Sequence, residues 1–178
     1  FIGSTGSGKS TAINLVPRFY DATEGEILVD GVNVKDYTLR ALHDKIGYVP
    51  QRAVLFSGTV ESNVAYGAKD GMDFTEDGVK DAVRIAQGQE FVEKMEGGYE
   101  AHIAQGGTNV SGGQKQRLAI ARAVCRRPEI YIFDDSFSAL DYKTDRLLRT
   151  ALKREPGGAT SLIVAQRIGT IRDADLII

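Results

Sequence analysis

The sequence predicts an α/β fold in which a parallel sheet forms the core and a helical subdomain is inserted. Short apolar runs alternate with segments of helical character, and this alternation indicates parallel strands that are connected by helices. A glycine-rich loop at 3–10 follows a strand end and precedes a helix. A long helical block between Gln51 and Ser111 interrupts the alternation. The strands that we expect are Phe1–Ile2, Ile46–Val49, Ile130–Phe133, Ser161–Val164 and Leu176–Ile178.

The elements before the helical block follow from local signals. The loop leads into a helix that we expect to cover residues 9–19. A hairpin with strands at 26–30 and 32–34 then turns on Asp30-Gly31, a strong two-residue turn signal. Thr38 suits the cap of the short helix that follows the hairpin.

The helical block is expected to form the inserted subdomain. Residues from about 58 to 107 have mostly helical character, and Thr75 with the acidic residues after it suits a helix start. Ser111 is expected to cap a further helix that stops before Pro128. We therefore place the subdomain at about 52–111.

The start of the chain is not typical of a natural N-terminus. Phe1-Ile2 run straight into the glycine-rich loop, and no initiator Met precedes them. We expect the first strands of the sheet to lie upstream, so that residues 1–178 are a fragment of one domain.

Composition narrows the class of protein. The net charge of −2 provides no basic face for nucleic acid, which we exclude as a partner. Cys125 is the one cysteine and cannot form an internal disulfide, which fits a reducing compartment. No apolar run approaches the roughly 18 residues that a membrane-spanning helix needs.

The loop at 3–10 matches the pattern G-x-x-x-x-G-K-[ST] at every fixed position. Its glycines allow backbone N–H groups to turn inward around phosphates, Lys9 adds a positive charge, and the Ser10 hydroxyl can ligate Mg²⁺. The alternative is a chance glycine-rich loop, for which a match is expected in about one per cent of such chains. The residues predicted to bind the nucleotide are Gly3, Ser4, Thr5, Gly6, Ser7, Gly8, Lys9, Ser10 and Thr11.

A second acidic element follows the strand at 130–133. Asp134 and Asp135 stand at the end of this apolar run. An Asp at the carboxyl end of a buried strand can hold Mg²⁺ beside a phosphate loop. By itself the pair would be read as a solvated turn, but the phosphate loop favours a metal-binding role for Asp134.

The segment after the helical block resembles the signature motif of ATP-binding-cassette (ABC) nucleotide-binding domains. Its core, Ser111-Gly112-Gly113-Gln114, is intact. A Ser cap and two glycines expose backbone N–H groups at a helix start, which forms a second anion site. A helix cap alone would explain Ser111 but not the three residues that follow it. The resemblance implies that the motif binds ATP held by a second subunit.

Two further positions match this family. Gln51, after the strand at 46–49, resembles the glutamine that contacts Mg²⁺ and the attacking water. Asp141 resembles the aspartate of the D-loop, which reaches across the dimer. The resemblance therefore implies ATP and Mg²⁺ as cofactors, with Ser10, Gln51 and Asp134 at the metal, and it covers nearly the whole chain.

Other segments resemble exporter-type domains in particular. These segments are Arg18–Asp21, Gly25–Ile27, Asp30-Gly31 and Val54–Val60. Such families fuse the ATPase to membrane-spanning helices, normally upstream. The resemblance thus implies an integral membrane transporter with this domain at the cytoplasmic face. The residue that stacks on adenine would also lie upstream.

The chain departs from the family pattern at two catalytic positions. The family places a Glu after the metal-binding Asp, whereas this chain has Asp135, which is about 1.5 Å shorter in reach. The switch motif resembles Val-Ala-His-Arg, but Gln166 replaces the His and cannot carry charge as an imidazolium can. We therefore expect a site that holds ATP and hydrolyses it poorly.

This pattern resembles one subunit of a heterodimeric ABC exporter, whose signature motif completes the competent site of its partner. Three alternatives remain open at this stage. One is a homodimeric exporter in which Asp135 serves as the base. Another is a non-transport ABC ATPase acting on DNA or ribosomes, and the third is a module that binds ATP without turnover.

Overall fold

The computed structural model describes residues 1–67, 74–155, 157–172 and 174–178. The strands are β1 Leu28–Val29, β2 Val32–Asn33, β3 Ile46–Val49, β4 Gly58–Thr59, β5 His102–Ile103, β6 Ile130–Asp134 and β7 Thr160–Val164. The helices are α1 Lys9–Asn14, α2 Leu39–Asp44, α3 Val60–Val64, α4 Glu76–Ile85, α5 Gln89–Lys94, α6 Gly112–Cys125, α7 Tyr142–Arg154 and α8 Ile168–Ile171.

A parallel sheet of order β3-β6-β7 lies at the centre of the fold. Ile132 of β6 stands opposite Tyr48 of β3 and Leu162 of β7. Ile2 forms a parallel bridge with Ala165, so the start of the chain extends the sheet beyond β7. The predicted α/β class with a parallel sheet is confirmed. The carboxyl ends of these strands therefore meet at one edge of the sheet, where parallel α/β folds bind ligands.

Apolar packing fixes this sheet from both sides. Ile132 and Phe133 of β6 are fully buried in two different clusters of apolar side chains. α6 lies close against β3, because a Cβ added at Gly47 would stand 3.3 Å from the Ala123 carbonyl oxygen of α6 and 2.8 Å from the ring of Pro128, which follows that helix. Gly47 is therefore the residue that lets the end of α6 approach the sheet.

The predicted helix caps are present. Thr38 accepts a hydrogen bond from the Ala41 N–H at the start of α2, and Thr75 accepts one from the Gly78 N–H at the start of α4. Each bond satisfies an N–H that has no partner within the helix.

α1 is shorter than predicted. The sequence suggested a helix over 9–19, but α1 ends at Asn14. The next N–H groups, of Leu15 and Val16, donate three residues back instead of four. Pro17 is the cause, because proline lacks an N–H and disfavours helical geometry in the residue before it.

Two other segments also differ from prediction. Residues 176–178 form no strand, although the Ile178 carbonyl accepts a hydrogen bond of 2.8 Å from the Ile2 N–H. The block predicted as mostly helical contains an antiparallel pair, β4 with β5, and its residues 68–73 lie outside the described part of the chain.

The hairpin forms at the predicted turn, with shorter strands than the predicted 26–30 and 32–34. Asp30 and Gly31 both have positive φ, 52° and 77°, as a two-residue hairpin turn of the primed type requires. This geometry suits glycine and tolerates aspartate.

The helices α3, α4 and α6 pack together around apolar side chains such as Val60, Val83 and Leu118, which are 0–1% exposed. The boundary of an inserted subdomain at about 52–111 stays a prediction. Within the described ranges, no helix combines the length and apolar character that crossing a membrane requires.

We expect Ser136→Ala to lower the free energy of unfolding by about 1–3 kcal/mol, because it leaves a buried carbonyl without its donor. Ser136 is 0% exposed, and its hydroxyl donates to the Val49 carbonyl at 2.7 Å, which ties the ends of β3 and β6. Urea denaturation measures the change. Ser161→Ala, on the exposed side of β7, is the control. Equal stability of the two variants would contradict this role for Ser136.

Candidate nucleotide-binding site

The loop at 3–10 has the backbone that its glycines permit. Gly6 and Gly8 have φ of 81° and 88°, in the left-handed region that side chains disfavour. A Cβ at Gly3 would stand 3.0 Å from the Ser7 hydroxyl oxygen, so the loop is closely wound at that position. The Ser7 N–H donates to the Ser4 carbonyl at 3.2 Å, which closes the turn. α1 begins at Lys9, directly after this loop.

The Lys9 ammonium lies on the loop itself. Its Nζ donates to the carbonyls of Gly3 and Ser4 at 2.9 and 2.7 Å, and to the Ser7 hydroxyl at 3.1 Å. These partners are all neutral oxygens. The positive charge therefore remains uncompensated by them and can attract an anion to the loop.

Asp134, the last residue of β6, is 8% exposed. Each of its carboxylate oxygens faces the hydroxyl group of another residue. Ser10 Oγ donates to Oδ1 at 2.6 Å, and the Tyr48 hydroxyl lies 3.4 Å from Oδ2. The same Tyr48 hydroxyl donates to Asn14 Oδ1 at 3.0 Å. Burial, together with the charge of Asp134, raises the pKa of Tyr48 to about 12, so the phenol keeps its proton at neutral pH.

This donor set fits Mg²⁺. The Ser10 hydroxyl and the Asp134 carboxylate are hard oxygen ligands of the kind that Mg²⁺ prefers, and they already lie in direct contact. Gln51 uses its amide nitrogen in a bond to Asp135, which leaves its carbonyl oxygen as a further oxygen donor. The fit rests on the chemistry of these three side chains.

Asp135 is held by two amides at once. The amide nitrogens of Gln51 and Gln166 both donate to the same oxygen, Oδ2, at 3.2 Å. Asp135 directly follows the end of β6, is 7% exposed and has a φ of 48°, which is left-handed backbone geometry. Burial raises the pKa of the Asp135 carboxyl above its usual range, the bond from Gln51 opposes this, and the charge of Asp134 adds to it.

The signature segment forms the start of α6. The Ser111 hydroxyl accepts from the Gln114 N–H at 3.2 Å, and the Gln114 side-chain oxygen accepts from the Ser111 N–H at 2.8 Å. This reciprocal capping box fixes the first turn. Gly112 has open space where a side chain would stand, whereas at Gly113 a Cβ would lie 3.5 Å from the Ala139 carbonyl.

Asp141 caps α7 and accepts from the Thr144 N–H and hydroxyl, at 2.9 and 2.6 Å. The Thr144 hydroxyl, followed by the Thr144 N–H, lowers the pKa of the Asp141 carboxyl. Arg167, next to Gln166, donates to the carbonyls of Ser138 and Leu140 at 2.9 and 3.0 Å. The segment carrying Asp141 is therefore tied directly to the residue after Gln166.

Hydrogen bonds bring together two sets of the predicted site residues. They join Ser10 to Asp134, and both Gln51 and Gln166 to Asp135. In the described part of the chain, no hydrogen bond links the signature segment to the phosphate loop.

Sequence reasoning missed two polar residues at this site, Tyr48 and Arg167. The signal for Tyr48 was a hydroxyl at the centre of an otherwise apolar strand. Arg167 had a weaker signal, as a basic residue directly after the switch position. Neither pattern alone specifies the partner of the side chain.

The fold and this loop define a P-loop nucleoside-triphosphate-binding domain. The ABC transporter family model matches residues 1–138, which is most of the chain. The chain therefore belongs to the ABC transporter family, as the motifs had suggested.

Relatives of known name agree with this family. The chain is 50% identical over 177 residues to an uncharacterized ABC transporter ATP-binding protein of Mycobacterium tuberculosis, and 45% identical over 177 residues to an ATP-dependent lipid A-core flippase of Hahella chejuensis. Each match covers 99% of this chain and 30% of the relative. The chain thus spans about 30% of the length of these curated relatives.

A solved structure supports the same fold. A bacterial Atm1-family ABC exporter with ATP bound superposes with a TM-score of 0.91 at 37% identity. The match covers 98% of this chain and 30% of that chain. The predicted P-loop NTPase fold of an ABC nucleotide-binding domain is therefore confirmed.

Proposed function

We propose that this chain is the ATP-binding domain of an ABC exporter and forms one half of a heterodimer that closes around ATP. Its own site binds ATP with Mg²⁺ and hydrolyses it slowly, while its signature motif completes the active site of the partner subunit. The observation that carries the proposal is the arrangement around Asp135, in which a short acid is engaged by two neutral amides.

Nucleotide binding rests on the loop at 3–10. The Lys9 ammonium is bound to the carbonyls of the loop, and the left-handed glycines give the loop a backbone of the kind that can cradle phosphates with its N–H groups. Ser10, Gln51 and Asp134 would hold Mg²⁺. When bound, the ion neutralises charge that develops on the phosphate oxygens. These elements are intact, so we expect tight ATP binding.

Hydrolysis needs an acid that orients the attacking water. Asp135 reaches about 1.5 Å less far than a glutamate would, and displacements near 1 Å can cost about a hundredfold in rate. Gln166 donates its amide to Asp135 and cannot supply a positive charge to a phosphate. Both Asp135 and Gln166 reduce stabilisation of the transition state without reducing the affinity for ATP.

The signature motif supports a role toward a second subunit. Ser111 and Gly112 are exposed, Gly112 presents open space, and the capping box formed by Ser111 and Gln114 fixes the first turn of α6. A helix start of this kind attracts phosphate. Since this motif is intact while the chain's own catalytic positions are altered, we infer that it serves a competent site on a different partner.

The membrane region is part of the same proposal. The chain corresponds to about 30% of relatives that include a flippase, and it resembles a domain of an Atm1-family exporter. We propose that a transmembrane domain is fused upstream of this chain. The ATP-binding domain would then lie at the cytoplasmic face of the membrane as part of an integral membrane transporter.

A homodimeric exporter is the second candidate. The observation in its favour is that burial raises the pKa of Asp135, because a carboxylate with a raised pKa is a stronger base. In that case Asp135 itself activates water, and two identical chains form two equal sites.

Mixing experiments distinguish the two candidates. We expect the full-length protein purified alone to bind ATP but to show little turnover, and addition of its partner subunit to restore it. ATP hydrolysis measured by phosphate release, beside ATP binding under the same conditions, provides both quantities. Full turnover without any other chain would contradict the heterodimer and support the homodimer.

A further inference from the structure

We propose that Tyr48 is a positioning residue for the Mg²⁺ ligand Asp134, and that the Tyr48 hydroxyl donates its hydrogen bond to Asn14 when it does not donate to Asp134. The proposal rests on the proposed binding of ATP with Mg²⁺ at this site. It is carried by one hydroxyl that stands between two acceptors, at 3.0 Å from Asn14 Oδ1 and 3.4 Å from Asp134 Oδ2.

Strand pairing fixes where Tyr48 stands. Tyr48 is in β3, opposite Ile132 in β6 and two residues short of the position opposite Asp134. The Phe19 ring meets the Tyr48 ring edge-on, with centroids 5.2 Å apart. The phenol is half-buried by these contacts. Its hydroxyl reaches the carboxyl end of β6, where it lies 3.4 Å from Asp134 Oδ2.

The two oxygens of Asp134 have different partners. Oδ1 accepts from the Ser10 hydroxyl, which is the other predicted metal ligand, whereas Oδ2 faces Tyr48. A metal bound between Ser10 and Asp134 would take Oδ1 and leave Oδ2 for the phenol. A hydrogen bond at Oδ2 then fixes the rotation of the carboxylate about its last torsion, so that Oδ1 points toward the ion. Hydrogen bonds of this type orient metal ligands in proteins.

Asn14 is a second hydrogen-bond acceptor for the Tyr48 hydroxyl. A phenol has one proton, so it makes its best hydrogen bond to one acceptor at a time. In the present arrangement the shorter contact is to Asn14, while Ser10 satisfies Asp134. Ser10 can ligate a metal through an oxygen lone pair and keep its O–H on Oδ1, so Oδ2 is the carboxylate oxygen that still lacks a short hydrogen bond. The Tyr48 proton can then turn from Asn14 to Asp134.

The competing interpretation is that Tyr48 only ties α1 to the sheet. Asn14 is the last residue of α1, and its bond to Tyr48 joins this helix to β3. A tie of this kind would be lost equally on removing the phenol or its Asn14 acceptor. A positioning role differs, because it needs the phenol and Asp134 but not Asn14.

The test measures how much Mg²⁺ strengthens binding of a trinitrophenyl-labelled ATP to the full-length protein, from titrations in Mg²⁺ and in EDTA. We expect Tyr48→Phe to reduce the Mg²⁺-dependent gain about tenfold, the lower end of the effect of removing such partners of metal ligands. The affinity in EDTA should not change. Asn14→Leu, which removes the competing acceptor, should preserve or increase the gain.

Tyr37→Phe is the matched control, because the Tyr37 hydroxyl donates to the Val29 carbonyl and not to the site. Equal losses in Tyr48→Phe and Asn14→Leu would overturn the proposal in favour of a simple tie. An unchanged Mg²⁺ gain in Tyr48→Phe would also overturn it. If the unaltered protein bound no labelled ATP at all, the proposed function would fail together with this inference.

Discussion

Gly112→Asp is expected to abolish ATP turnover in the assembled transporter while leaving this domain folded. Gly112 opens α6, and nothing lies within 4 Å of the position of an added Cβ. A carboxylate near a helix start is even favourable for the helix. At the same place it would face the phosphates of the nucleotide on the partner subunit. We therefore expect stability to hold or rise and turnover to fall by at least about a hundredfold.

Three measurements make this prediction specific. Phosphate release reports turnover, thermal unfolding reports stability, and labelled ATP reports binding at this chain's own loop, which should be unaffected. Gly112→Asn is the matched control, because it has the same size without the charge, and we expect it to lose less activity. Normal turnover in Gly112→Asp would mean that the signature motif does not contact the reacting phosphate.

The second large effect is a gain of activity. Asp135→Glu combined with Gln166→His should raise hydrolysis at this chain's own site by about a hundredfold, since it restores about 1.5 Å of reach and a group that can carry charge. Both Gln51 and Gln166 donate to the same oxygen of Asp135. The effects of the two substitutions should therefore be coupled. The rate increases of the two single variants, multiplied together, should be smaller than the increase of the double variant.

Single-turnover hydrolysis in a pair whose partner lacks its catalytic acid isolates this site. Adding Lys9→Ala to the double variant is the control, and it should remove the gained activity because the gain depends on the phosphate loop. If Asp135→Glu alone gave the whole increase, Gln166 would not limit the reaction. If the double variant gave none, the impairment would lie outside these two residues.

Local chemistry made much of the fold predictable. The β3 and β6 strands are short apolar runs that are bounded by turn or cap residues, and Thr38, Thr75 and Ser111 carry the caps that were expected of them. Such signals depend on residues that are close in the sequence. The parallel order of the sheet followed from alternation of strands and helices, which is likewise readable along the chain.

The failures involve longer-range or weaker signals. β4 and β5 are two residues each and pair across 43 to 45 positions, so they have no periodicity that could reveal them. The strand predicted at 176–178 is apolar, but it makes one bond to Ile2 and no regular pairing. The end of α1 is the exception, because the prediction of a helix over 9–19 was wrong although Pro17 is a local signal for its end.

At the candidate site too, features that neighbouring residues encode were predictable, and contacts between distant segments were not. The phosphate loop, Asp134 and the signature core were identified from residue patterns. That Gln51 and Gln166 would donate to a single oxygen of Asp135 was not predictable, because three distant segments must be placed within about 3 Å. The role of Tyr48 was not predictable for the same reason, since its hydrogen-bond partners come from α1 and β6.

We propose that this chain holds ATP at a site which contributes little to turnover. Steady-state phosphate release from the assembled pair carrying Asp135→Asn tests it most directly. Asn keeps the size of the side chain and tolerates the left-handed backbone at this position, so folding should be preserved. We expect a rate close to that of the unaltered pair, whereas removal of the equivalent acid of the partner should abolish turnover. Loss of turnover in Asp135→Asn would contradict the account.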